Sequence, residues 1–254
     1  MAAGNHPTLT RNIAPGVHRL GHAYVNCYLI EDGTRVTVVD AALPATWSHL
    51  EQSLQAIGRS RDDVDALVIT HAHPDHLGFA ARIAAQWSVP IWVHAADERI
   101  AQHPYRHEHE GNPLVSTLRH PRAVPMLTAM MTAGALRVKG VTNTRRLPPS
   151  AVLDVPGHPT VLFTPGHTFG HCALHLPDRG VLISGDALVT LDPYTAARGP
   201  RLIAGAGTAD SVMALASLQD IEDTDAATVL PGHGEPWQTG ARAAVAAARE
   251  AAAL

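Results

Sequence analysis

Residues 70 to 78 read Thr-His-Ala-His-Pro-Asp-His-Leu-Gly and follow directly on the apolar stretch 66–69, Ala-Leu-Val-Ile. Three imidazoles (His71, His73, His76) and a carboxylate (Asp75) fall within six positions at the end of a strand-like segment. Spaced in this way they can converge on one point while the loop turns away. Imidazole and carboxylate are the ligands that zinc and neighbouring divalent metals take at catalytic sites with open positions. A histidine-rich chain shows some clustering by chance, and with 17 His in 254 residues the trio His103, His107 and His109 is read as that kind of coincidence. The 71–76 run differs because three later islands repeat its form. Apolar residues 161–163 lead to His167 through Thr-Pro-Gly, 181–183 lead to Asp186 through Ser-Gly, and 227–230 lead to His233 through Pro-Gly.

The elements that must carry these residues follow from hydrophobic periodicity. Strands are expected at 16–20, 24–31 and 35–40, after a loose arm over residues 1–12. Trp47, Leu50, Leu54 and Ile57 recur at helical spacing and predict a helix over 46–57, stopped by Gly58. The strand into His71 is followed by a helix over 78–87 and a strand over 90–94. The second half has strands near 161, 174 and 181, a helix over 209–220, a strand over 227–230 and an Ala-rich helix from about 239. Strands alternating with helices read as an α/β chain. Residues 95–150 break the pattern with Pro104, Pro113, Pro121, Pro125, Pro148 and Pro149, and contain Met126, Met130 and Met131. Methionines on one helical face are either ordinary core or, because the thioether adapts to varied shapes, the lining of a pocket for an acyl chain or other apolar group.

Composition narrows the class. A chain of 254 residues that is 46% hydrophobic and 17% charged can bury a large core as one domain spanning 1–254. A formal charge of −4 gives no footprint for a nucleic-acid partner, and Arg145-Arg146 reads as a solvated loop. Cys27 and Cys172 are too few and too far apart for a disulfide framework and read as small buried residues. No apolar leader follows Met1, and no apolar run approaches about 18 residues. A soluble, cytoplasmic protein with no membrane partner and a small-molecule substrate is therefore expected. The alanine richness, with Lys139 as the only lysine, is the signature of a GC-rich bacterial genome and carries no mechanism.

The ordered series His-Ala-His-Pro-Asp-His at 71–76, Pro-Gly-His-Thr at 165–168, Ser-Gly-Asp at 184–186 and Pro-Gly-His-Gly at 231–234 resembles the metallo-β-lactamase fold superfamily of hydrolases. The resemblance runs from residues 16–20 to His233. It implies a four-layer αβ/βα sandwich whose two similar halves present ligands at their strand ends. It also implies that His71, His73 and His167 hold one metal, that Asp75, His76 and His233 hold a second, and that Asp186 bridges them. The cofactor would be two divalent ions, zinc in the first place, with manganese or iron also compatible with this ligand set. Asp40 matches an early aspartate that supports the metal loop without binding metal, and from the residues alone it is equally a turn or helix-cap residue. His171 reads as a supporting or packing histidine, because the terminal ligands are already assigned. Tyr194, shortly after Asp186, either donates a hydrogen bond to a substrate oxygen or packs in its loop. Related hydrolases roof the active site with helices where residues 95–150 fall, which would place Met130 or Met131 over the substrate.

Two divalent ions about 3.5–4 Å apart share a water and lower its pKa toward neutrality. The bridging hydroxide would be the nucleophile, and Asp75 could orient it and shuttle a proton. Substrate class follows by exclusion within the resemblance. β-Lactamases of the superfamily generally lack an aspartate where Asp186 stands. Glyoxalase II carries a C-terminal helical domain, whereas only a short Ala-rich helix follows His233 here. RNA-processing members add nuclease segments that are not found. A hydrolase of a small-molecule ester, thioester or lactone is expected. The alternative on the same fold is a persulfide dioxygenase with one iron on two His and one Asp, which the intact second ligand set disfavours. A non-enzymatic binding protein would be expected to have lost ligands, and none is missing.

Overall fold

A period of two in the apolar residues divides the strands of this chain between different packing layers. The computed structural model describes residues 6–253. Strands β1 (Thr8–Ala14), β2 (Val17–His22), β3 (Val25–Asp32), β4 (Arg35–Val39), β5 (Val64–Val68), β6 (Ile91–Val93) and β7 (Arg145–Arg146) join in that order into one sheet. Strands β8 (Thr160–Phe163), β9 (Cys172–Leu176), β10 (Val181–Gly185) and β13 (Thr228–Pro231) form a second sheet in the order β13-β10-β9-β8, while β11 (Val189–Leu191) and β12 (Arg198–Arg201) pair with each other. On β3, Val25, Cys27 and Leu29 pack toward helices α1 (Trp47–Ala56) and α3 (Ala80–Gln86), whereas Tyr28 and Ile30 pack toward the second sheet. On β10, Val181 and Ile183 face the first sheet, and Leu182 faces helices α7 (Ser211–Asp223) and α8 (Ala241–Ala252). Helix, sheet, sheet, helix is the four-layer arrangement expected. Each fully buried Leu or Ile in these layers contributes about 1.5–3 kcal/mol.

Strand direction decides where chemistry can occur. β4, β5 and β6 run parallel, as do β10 and β13. Their carboxyl ends therefore release Asp40, the 71–76 loop, Asp186 and His233 on a common edge, the place where open α/β sheets collect ligands. Short helix α2 (Pro74–Leu77) begins inside the histidine loop, with His73 at its N-cap and Pro74 at the first position, where proline sacrifices no hydrogen bond. The helix expected over 78–87 is α3, and a break at Gly78 and Phe79 separates it from α2, which precedes the expected range. Its break is imposed from outside: Gly78 N–H donates to Ala42 O at 2.8 Å and Phe79 N–H to Ala41 O at 3.0 Å. A Cβ on Gly78 would lie 2.2 Å from the Ala42 oxygen, so no larger residue fits there.

Two other expectations are corrected. The loose arm over 1–12 is, within the described residues, largely strand β1, paired with β2 through Thr8↔Gly21, Leu9↔Leu20 and Thr10↔Arg19. Its own sequence does not alternate, and β2 supplies the ladder. Residues 1–5 lie outside the described residues. Arg145-Arg146 is edge strand β7, parallel to β6, and not a loop. Arg145 sits 5.5 Å over the Trp92 ring and Arg146 pairs with Glu98 at 3.3 Å. Residues 95–150 otherwise form α4 (Glu98–Gln102), α5 (Pro113–Arg119) and α6 (Val124–Thr132) with short 3-10 turns. Cys27 and Cys172 are buried and free. Leu29→Ala should destabilise the protein by about 2–5 kcal/mol through a core cavity. Leu118→Ala, on exposed α5, should stay within about 0.5 kcal/mol. Urea unfolding of the two variants side by side checks this layer assignment.

Candidate metal centre

One buried carboxylate organises the edge where the strands end. Asp186 Oδ2 lies 3.2 Å from His233 Nε2, 3.4 Å from His167 Nε2, 3.5 Å from His76 Nε2 and 3.7 Å from His71 Nε2. Asp75 Oδ2 is 3.2 Å from His233 Nε2. Three groups have ligand atoms that all fall within 4.8 Å of one another: His71, His73 and His167; His71, His76 and Asp186; Asp75, His76 and His233. The structure thus brings together all seven residues singled out as ligands, with Asp186 between the two histidine sets.

Hydrogen bonds behind the rings set their tautomers. His71 Nδ1–H donates to Thr70 Oγ1 at 3.1 Å, and the Thr70 hydroxyl donates in turn to Asp40. His76 Nδ1–H donates to Asp40 Oδ2 at 2.9 Å, His167 Nδ1–H to Thr208 Oγ1 at 3.3 Å, and His233 Nδ1–H to the Tyr24 carbonyl at 2.8 Å. With Nδ1 held by these outer bonds, each Nε2 points inward, free to carry a lone pair or a proton. The Nε2 atoms of His71, His73, His76 and His167, and Oδ1 of Asp186, are buried without a hydrogen-bond partner. Buried polar atoms are rarely left so, and outer partners that fix the tautomer are the ordinary support of metal-binding histidines. A divalent cation fits this donor set.

Electrostatics point the same way. Burial drives the imidazoles of His71 and His73 well below the usual range, and that of His167 down to about 4, which keeps them neutral and able to ligate. Burial acts on His76 and His233 in the same sense, but Asp186 and the other adjoining carboxylates outweigh it, and His233 is pushed up to about 10. Asp186, despite its burial, is held far below the carboxylate range by His233 and His76. The cluster therefore demands positive charge, for which protons and metal compete.

Residues that touch none of the ligand atoms in the centre still hold it together. Asp40, with φ +63°, binds Thr70 N–H at 2.7 Å as well as His76; it sits behind the histidine loop and at the strand-ending turn simultaneously. His171 bonds Thr164 Oγ1 at 2.8 Å through Nδ1 and accepts the N–H groups of Asp186 at 3.0 Å and Ala187 at 3.2 Å through Nε2. Gly232 lets the backbone approach: a Cβ there would lie 2.0 Å from Asp186 Oδ1.

Sequence reasoning passed over three contributors. Asp97 is buried and accepts Ala72 N–H at 2.9 Å, Thr168 Oγ1–H at 2.8 Å and Gly170 N–H at 2.8 Å, tying the His71–His73 loop to the His167 loop. Burial raises its carboxyl pKa, and these same hydrogen bonds oppose the rise. The β2–β3 turn places both Ala23 and Tyr24 at positive φ, +49° and +66°, a conformation that favours Asn or Gly. Its carbonyl is the one that orients His233. His107, read as coincidence, stands with its ring 4.7 Å from that of His73 and lines the adjoining cavity. Of that trio His107 lines the cavity, whereas His103 and His109 do not.

The cavity has a volume of about 410 Å³ and runs from His73, Asp75, Asp186 and His233 to a wall from the 95–150 insertion that includes Leu127, Met130 and Met131. Tyr194 also lines it. Its N–H bonds Asp192 Oδ1 at 2.8 Å and its ring packs close against Gly207. Its phenol has no hydrogen-bond partner among the described residues, and burial, then Asp75, pushes its pKa up.

The sequence model of the metallo-beta-lactamase superfamily matches residues 20–233, and the chain belongs to that superfamily of divalent-metal proteins. It is similar to the probable metallo-hydrolase YflN of Bacillus subtilis (strain 168), 25% identical over 236 residues covering 88% of this chain and 85% of that protein. Among solved structures it resembles the metallo-beta-lactamase family protein TTHA1429 from Thermus thermophilus with a TM-score of 0.68 and 26% identity, covering 94% of this chain and 80% of that one. It also resembles TTHA1623, solved in a di-iron-bound form, with a TM-score of 0.61 and 25% identity, covering 89% of this chain and 95% of that one.

Asp97→Ala removes the clamp between the two histidine loops while leaving every candidate ligand in place. Divalent-metal affinity should fall about 10–100-fold with far-UV circular dichroism retained. Competition against a chelator measures it, and unchanged affinity would show that the loops keep their register without Asp97.

Proposed function

We propose that this protein is a binuclear-metal-dependent hydrolase of a small-molecule ester, thioester or lactone with an apolar acyl portion. The observation that carries the reading is the set of inward, partnerless Nε2 atoms around Asp186, opening onto a cavity whose far wall is apolar. His71, His73 and His167 would hold one ion, Asp75, His76 and His233 the other, and Asp186 both. When bound, the two ions supply an activated water and fixed positive charge at the reacting carbonyl.

The chain's own residues do the rest. Asp75, at the boundary between ligand cluster and cavity, orients the water and accepts its proton. Tyr194, its phenol kept protonated by burial, has a free donor for a substrate oxygen. Met130 and Met131 offer adaptable apolar surface to the acyl group, and their burial of it excludes solvent from the reacting bond. The dioxygenase alternative would need one set of ligands only, whereas both sets are intact and within reach of Asp186.

Protein prepared without chelator should carry close to two divalent ions per chain by elemental analysis, and Asp186→Ala should lower the occupancy of both. Asp75→Asn keeps an oxygen ligand but loses the base, so turnover should drop about 10²–10⁴-fold with much of the metal retained. One iron per chain with oxygen uptake would instead establish the dioxygenase.

Acyl preference tests the cavity. Each buried methylene adds about 0.8 kcal/mol, roughly fourfold in kcat/KM. Across matched thioesters, lactones and aryl esters, kcat/KM should therefore climb with acyl length until the cavity is full. Met130→Ala should flatten the climb. No length dependence in any of the three classes would remove the apolar subsite and leave the metal assignment standing.

A further inference from the structure

The insertion carries two surface features that extend outward from the cavity mouth. Leu114, Leu118 and Leu136 are 76%, 83% and 69% exposed, and Val115, Val124 and Met131 are also exposed. A single exposed leucine is ordinary, but these six fall together within residues 114–136 of the insertion. Leu114, Val124, Met131 and Leu136 line the mouth of the cavity, and Leu114, Val115 and Leu118 share one face of α5 by their helical spacing. Exposed apolar side chains grouped in this way are the material of a contact site.

Charge is segregated onto the same segment. Between residues 111 and 146 stand Arg119, Arg122, Arg137, Lys139, Arg145 and Arg146 with no Asp or Glu, in a chain whose formal net charge is −4. Arg145 and Arg146 are engaged at the sheet edge by Trp92 and Glu98. Arg119, Arg122, Arg137 and Lys139 are exposed, and none of them is within ion-pair distance of a carboxylate among the described residues. Of the two carboxylates that precede them, Glu110 is held by Ser211, and Glu108 is exposed.

We propose that this face docks on an anionic phospholipid bilayer, with Leu114, Leu118 and Leu136 entering the headgroup–acyl boundary and Arg119, Arg122, Arg137 and Lys139 meeting the lipid phosphates. Two copies joined through this face would bring the same cations together, which like-charge repulsion opposes. A ligand in the cavity would cover Leu114 and Leu136 but not Leu118, which does not line it. An anionic bilayer satisfies the leucines and the cations at once. No helix among the described residues is long and apolar enough to cross a membrane, so the contact is peripheral. It would turn the cavity mouth toward the lipid.

The test is co-sedimentation of the full metal-loaded chain with vesicles of phosphatidylcholine alone and of phosphatidylcholine mixed with phosphatidylglycerol. Binding is expected to the mixed vesicles only and to weaken as salt is raised. The double variant Arg119→Glu/Arg122→Glu should lower the partition coefficient at least about tenfold, and Leu118→Glu should lower it as well. Both should keep wild-type circular dichroism and metal content. Absence of binding by folded wild type at low salt overturns the proposal, and so does binding that neither variant weakens. A concentration-dependent dimer in light scattering that Leu118→Glu abolishes, without vesicle binding, assigns the face to a second copy and overturns it too. Sedimentation reads no turnover, so failure of the hydrolase reading is a separate result.

Discussion

A carboxylate with almost no solvent contact, ringed by four imidazole nitrogens, is the constraint around which the molecule is arranged. Burying Asp186 is tolerable only where positive charge can be kept beside it. That carboxylate raises the pKa values of the adjoining His76 and His233 imidazoles, which favours such charge, and a divalent cation on the same donors would supply it as well. The rest of the ligand edge prevents relaxation away from this arrangement. Thr70, Thr208 and the Tyr24 carbonyl fix Nδ1 of their histidines, so the rings cannot flip to satisfy Nε2 elsewhere. His171 holds the N–H groups at Asp186, and Gly232 leaves no side chain between that carboxylate and its neighbours. Preorganisation of this sort raises the free energy of the empty centre relative to the filled one, which is how a protein converts folding energy into ligand affinity.

Much of this was legible in the chain because it is local. Residues 71–76 concentrate four donors in six positions, and Gly-flanked His167, Asp186 and His233 each end a recognisable apolar strand, so type and spacing point to a metal site, while the division of the donors between two ions comes from the family resemblance. The strands and helices are legible from their apolar runs, but the four-layer stacking follows from the family resemblance, because β3 is buried on both faces and shows no alternation in sequence. What escaped depends on partners distant along the chain. Asp97 bonds residues 25, 71 and 73 positions away, and nothing beside it in sequence marks it as a clamp. His107 looks like its neighbours His103 and His109 until the insertion folds it against His73. β1 and β7 lack any apolar period because their existence rests on the strands they pair with, β2 and β6.

Floor and roof of the cavity obey different physics, and this explains why the chemistry is easier to read than the substrate. The floor is built from strand ends, where parallel alignment holds each donor in a fixed position relative to the next and a substitution leaves a charge uncompensated. The roof is built from short helices with Pro113, Pro121 and Pro125 at their starts. It is joined to the floor through apolar contacts that many side chains could supply. Leucine and methionine at these positions specify hydrophobicity and volume but no single shape. A family can therefore keep one reaction centre while its insertion is remodelled for new acyl groups or new surfaces.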